Sequence, residues 1–90
     1  MMGYRLVLTC YEEAFEYNWP HVDLFVQDAH GNEINWVHWP AAGGGPEAAD
    51  AATSQHEPMI RRVTEWRRVE GVGDRIYWVA DAEWEDAPEA

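Results

Sequence analysis

Few side chains in this sequence have the type and spacing that catalysis needs. His21, Asp23, His30, His38 and His56 are the residues that could ligate a metal. Their spacing matches no zinc motif, in which ligands recur at short fixed intervals on a turn or a helix face. A single Cys10 could act as a nucleophile only if its surroundings favoured the thiolate, and the N-terminal half is strongly negative. Ser54 is the only serine and falls in a stretch of Ala and small polar residues, a poor place to hold a nucleophile. Gly43-Gly44-Gly45 lacks the Lys-Ser/Thr that follows the glycines of a phosphate-gripping loop, so it reads as linker. Glu12, Glu13 and Glu16 could do acid–base work only if desolvated and held. A run of acids beside Asn18 and Pro20 reads instead as a solvated loop. The expectation is a protein without catalytic residues, metal or cofactor. A small metal- or ligand-dependent enzyme is the least favoured reading.

The elements that would position these residues are mostly strands. Tyr4 to Cys10 alternates, with Tyr4, Leu6, Leu8 and Cys10 on one face. His21 to Trp39 reads as a hairpin: two alternating runs flank Ala29-His30-Gly31, where Gly31 supplies the left-handed residue of a three-residue loop. That loop pairs Asp28 with Asn32. Carried along the strands, the register sets Val26 opposite Ile34, Leu24 opposite Trp36, Val22 opposite His38, Phe25 opposite Asn35 and His21 opposite Trp39. Val22, Leu24, Val26, Ile34 and Trp36 would then be core. His21, Asp23, Phe25, Val37 and Trp39 would share the other face, with His38 opposite them and His30 at the tip. The strand path from His21 to His30 is about 30 Å at ~3.3 Å per residue, so these histidines cannot all meet.

Residues 40–57 are rich in Gly and Ala and carry no large apolar side chain; Glu47 to Thr53 could form a frayed helical turn, but the whole stretch reads as one mobile surface loop. Residues 58–70 fit two periods. As a helix, Pro58 opens it, Gly71 follows it, and Met59, Ile60, Val63 and Trp66 form a stripe. As a strand, Val63 to Val69 turns through 70–74 into Arg75 to Trp84. The helix is the preferred reading. The expected fold is one α+β domain over 1–90: an antiparallel sheet of about four strands centred on the hairpin, with one helix near 58–70 and an acidic tail at 85–90. An all-β arrangement is the runner-up.

The charge narrows the partners. There are 17 acids against 6 arginines and no lysine, a net of -11. Residues 59–75 hold five of the arginines, and the rest of the chain is almost purely acidic. Such a molecule is repelled by nucleic acid and anionic membrane and drawn to basic surfaces. Cys10 has no partner for a disulfide, no apolar run could span a bilayer, and the start does not read as a signal peptide, which together point to the cytoplasm.

Six Trp and four Tyr in 90 residues suggest aromatic anchors within an acidic rim, the usual makeup of a contact surface. The expected partner-binding residues are Phe25, Val37, Trp39, His21 and Asp23 on the hairpin, with Glu12, Glu13, Glu16 and Trp19 in the acidic, aromatic connection. The expected partner is a larger protein with a basic surface, without direct contact to nucleic acid or membrane. Small acidic anti-defence proteins of phages and mobile elements, some anti-CRISPR proteins among them, are similar in size and charge. The second reading is an assembly module that dimerises through the Phe25–Trp39 face.

Overall fold

A computed structural model describes residues 4–12, 20–71, 73 and 75–84. In chain order they form β1 (Arg5–Tyr11), β2 (His21–Gln27), β3 (Glu33–Pro40), α1 (Pro46–His56), β4 (Ile60–Arg62), β5 (Arg67–Glu70) and β6 (Ile76–Trp84). The fold is α+β, as expected, with six strands rather than about four. All pair antiparallel in the order β3-β2-β1-β6-β4, and β5 lies on the same side of β6 as β4.

One face of the sheet is the core. Leu8 and Cys10 of β1 stand opposite Leu24 and Val22 of β2 and opposite Ala80 and Trp78 of β6. Leu8, Cys10, Val22 and Leu24 are completely buried. Each of the larger aliphatics contributes about 1.5–3 kcal/mol by leaving water.

The helix that covers this face is not where the periodicity placed it. Residues 46–56, expected to be a mobile loop, form α1. Pro46 sits in its first turn, Glu47 favours its N-terminal dipole and His56 ends it. Its buried residues are Ala49, Ala52 and Thr53. Large apolar side chains are unnecessary here, because small ones let the helix lie close to the sheet and Trp39 fills the space from below. The Trp39 indole N–H donates to Thr53 Oγ1 at 3.2 Å, and the Thr53 hydroxyl donates to the Ala49 carbonyl at 2.8 Å. Gly44 passes so close to the Glu12 carbonyl that no side chain could be accommodated, and the Gly45 N–H donates to Tyr11 O at 2.9 Å. The glycine run is a close-approach point and not a plain linker.

The helix expected at 58–70 is instead an interrupted edge strand, β4 plus β5. Ile60 is buried while Met59 and Val63 are exposed, so no helical stripe is formed. The open side of the long strand β6 competes for this segment, and each stretch that pairs there gains ladder hydrogen bonds. Between the two strands the ladder is patched: the Val63 N–H donates to Asp81 O and the Asp81 N–H donates to Thr64 Oγ1, both at 2.9 Å.

The β2–β3 hairpin forms with the expected turn. The Asp28 N–H donates to Asn32 O, the Gly31 N–H donates to Asp28 O, and Gly31 has φ of 87°. The register then departs from expectation. An irregularity at Ile34 sets Val26 opposite Asn35, and every later pair is shifted by one: Phe25–Trp36, Leu24–Val37, Asp23–His38 and Val22–Trp39. One extra residue on one strand reverses the faces of everything beyond it. Trp39 therefore joins the core with Val22, and Trp36 moves to the opposite face with Phe25. Phe25 and Trp39 lie on opposite faces of the sheet, so the joint Phe25–Trp39 surface expected from the sequence is not formed.

Among the described residues, no helix is long and apolar enough to cross a membrane.

Candidate functional site

The face opposite α1 carries a polar cluster built around Asp23. Its position follows from the shifted register: Tyr11 ends β1, His21 and Asp23 alternate on β2, and Trp36 and His38 alternate on β3. Asp23 is only 5% exposed. The Tyr11 hydroxyl donates to its Oδ2 at 2.6 Å, and the Trp36 indole N–H donates to its Oδ1 at 3.1 Å. The first length is that of a short hydroxyl–carboxylate bond. His21 Nε2 lies 3.5 Å from Oδ2. Rings close around this centre: Tyr11 and His21 at 4.9 Å between centroids, Trp36 and His38 at 5.1 Å, Tyr11 and Tyr77 at 6.2 Å.

Both Asp23 oxygens accept hydrogen bonds from neighbours, and the group is sheltered from solvent. This carboxylate holds other side chains in place and is poorly presented to a reactant. What it holds is Trp36, a residue 43% exposed. The Trp36 backbone N–H is also engaged, donating to Asn35 Oδ1 at 2.8 Å. Ile34 and Val37 beside it are 51% and 42% exposed. Three large apolar residues thus stand in water within four positions of one strand.

No known family model, curated protein or solved structure matches this chain.

The electrostatics are uneven. Arg5 pairs with Asp81, Arg61 with Glu83, Arg62 with Asp50 and Arg68 with Glu70, at 2.8–3.2 Å. The exposed pairs add at most about 1 kcal/mol each to stability. Their larger effect is on the field, since three of the five arginines at 59–75 are offset by the chain's own carboxylates. Asp50 also accepts the Trp66 indole N–H, and Arg62 lies over that ring at 5.5 Å. By contrast Glu12, Asp28, Glu33, Glu47 and Glu57 make no ion pair among the described residues. β2 and β3 contain no arginine at all.

Of the residues expected to bind a partner, Glu12 and Val37 are exposed and Phe25 is half-buried. His21 and Asp23 are buried and act as supports. Trp39, at 4% exposed, belongs to the core. Glu13, Glu16 and Trp19 lie outside the described residues. Sequence reasoning missed Ile34 and Trp36 as surface groups, and Tyr11 and His38 as their support. Asn35 was the available signal: a poor strand former inside an apolar run, able to bond to the neighbouring backbone. Among the described residues, no three His, Cys, Asp or Glu side chains come together as a metal site.

Proposed function

We propose that this chain is a non-catalytic, acidic protein-binding module that docks onto a basic surface of a larger cytoplasmic protein. The observation that carries the reading is the exposed, doubly tethered Trp36 on a hairpin free of arginine. A surface aromatic already held in place loses little freedom on binding, which is how contact anchors gain affinity. A guanidinium can stack on such a ring while acids at the rim attract it. Neutralisation of Arg5, Arg61, Arg62 and Arg68 by internal carboxylates leaves the excess of acid to act outward. Competition with nucleic acid for a basic site, as an inhibitor encoded by a phage or mobile element would exercise it, is the concrete form of this reading.

The test begins with a tagged chain used to capture its partner from the source cell, followed by measurement with the purified pair. The partner is expected to be basic, to lose its nucleic acid when the chain is added, and to bind at least about tenfold more weakly when salt rises from about 50 to 500 mM. Binding indifferent to salt, or a partner that keeps its nucleic acid, overturns the corresponding half of the reading.

A further inference from the structure

Among the described residues β3 is the terminal strand of the sheet, and its ladder shows which backbone groups look outward. The Ala41 N–H donates to Pro20 O at 3.0 Å. In an antiparallel ladder, bonded and non-bonded pairs alternate. Stepping back by two, Val22–Trp39 and Leu24–Val37 are the bonded pairs. Trp36, His38 and Pro40 therefore turn their backbone groups away from β2. The Trp36 N–H agrees, since it donates to a side chain, Asn35 Oδ1, rather than to β2.

The two edges of the sheet differ. The β4–β5 edge is broken into stretches of three and four residues and carries Arg61, Arg62, Arg67 and Arg68, the usual guards against strand addition. β3 runs for eight residues with a charge only at Glu33 and a proline only at its end. Ile34, Trp36 and Val37 stand exposed beside it, Trp36 on one face of the sheet and Val37 on the other.

We infer that β3 is a docking edge, and that its occupant is an extended, arginine-bearing segment of the partner, which adds to the sheet as a seventh strand. The inference rests on the proposed function and gives that contact its geometry. Asn35 Oδ1 occupies the place that a carbonyl of the added strand would take, and it keeps the Trp36 amide satisfied until the strand arrives. Main-chain bonds supply affinity in this mode, and alternate side chains supply selectivity. Trp36 is placed to stack on a guanidinium of the incoming strand. A second copy of this chain fits less well, because each copy carries a net charge of -11 and three of the four arginines on its far edge are already paired.

Two blocked peptides as long as β3 test this, one alternating arginine with valine and one of the same sequence with every backbone nitrogen methylated. Their charge and side chains are equal, but the second has no backbone N–H to donate to a ladder. Binding is followed by amide NMR and sedimentation. The arginine–valine peptide is expected to bind at least about tenfold more tightly, to slow exchange of the Trp36 amide at least about tenfold, and to leave the chain monomeric beforehand. Asn35→Ala, which removes the competing acceptor, should bind that peptide severalfold more tightly; a purely structural Asn35 would not give this gain. Equal binding of both peptides overturns the docking edge and leaves the charge-driven contact standing. Binding of neither overturns both, and a dimer without peptide assigns the edge to a second copy.

Discussion

The indole N–H of Trp36 donates to Oδ1 of Asp23 at 3.1 Å, so a ring exposed to solvent is moored to a buried carboxylate. The Tyr11 hydroxyl takes the other oxygen, which ties β1, β2 and β3 together at one point. Asp23→Ala would take the shared acceptor from two part-buried donors. A buried group left unpaired costs about 1–3 kcal/mol and a part-buried one less, so the expected loss is about 1–3 kcal/mol by urea unfolding. A loss below about 0.5 kcal/mol would show that Asp23 holds nothing together.

The one-residue shift in the hairpin separates two tryptophans by role. Trp39→Ala empties a core site and removes the partner of Thr53. It should cost about 3–5 kcal/mol. Trp36→Ala removes a half-exposed ring and one hydrogen bond, and should cost about 1–2 kcal/mol. Partner retention should follow the opposite order once both variants are shown to be folded. Equal losses of stability would restore the unshifted register.

Much of this fold can be read from residues. Alternation identifies β1, β2, β3 and β6, and Gly31 identifies the turn. What the sequence conceals is set by neighbours distant in the chain. Ile60, Val63 and Trp66 satisfy both a helical and an extended period, and only the open side of β6 decides between them. Ala49, Ala52 and Thr53 look like linker until Trp39 is seen beneath them. The bulge at Ile34 is local, yet it exchanged the faces of Trp36 and Trp39, and moved the candidate site with them. The acidic character survived intact, because net charge does not depend on register.

Gly44 gives a sharp contrast with its neighbour. A Cβ at Gly44 would collide with the backbone of Glu12, whereas one at Gly43 would meet nothing within 4 Å. Gly44→Ala should force α1 away from the end of β1 and cost about 1–3 kcal/mol. Gly43→Ala should stay within about 0.5 kcal/mol of the parent. Thermal unfolding of the pair checks this, and equal midpoints would mean that residues 43–45 are slack.

Burial pushes the Cys10 thiol up from 9.0 to about 12, with Asp50 acting in the same direction and Arg62 against it. The thiolate is the reactive form, so native Cys10 should react with iodoacetamide at pH 8 at least about 100-fold more slowly than the unfolded chain. The folded state keeps a proton that the unfolded state releases near pH 9.0, so this group makes stability fall as pH rises from about 9 towards 12. Cys10→Ala should flatten that decline. Rapid native labelling would place the thiol at the surface.

Asp28 works at the other end of the pH scale. Its carboxylate accepts the backbone N–H groups of Asn32 and His30, both at 2.9 Å, and the first of these does most to hold its pKa below the usual value. A carboxyl whose folded pKa is depressed adds stability above its unfolded pKa of about 3.9 and loses it as pH falls through the lower folded value. Asn at this position keeps an acceptor but not the charge. The stability gap between the parent and Asp28→Asn should therefore be level above about pH 5 and close steadily below about pH 4. Urea midpoints measured across that range give the gap directly. A gap that does not change with pH would mean that the Asp28 charge plays no part in holding the turn.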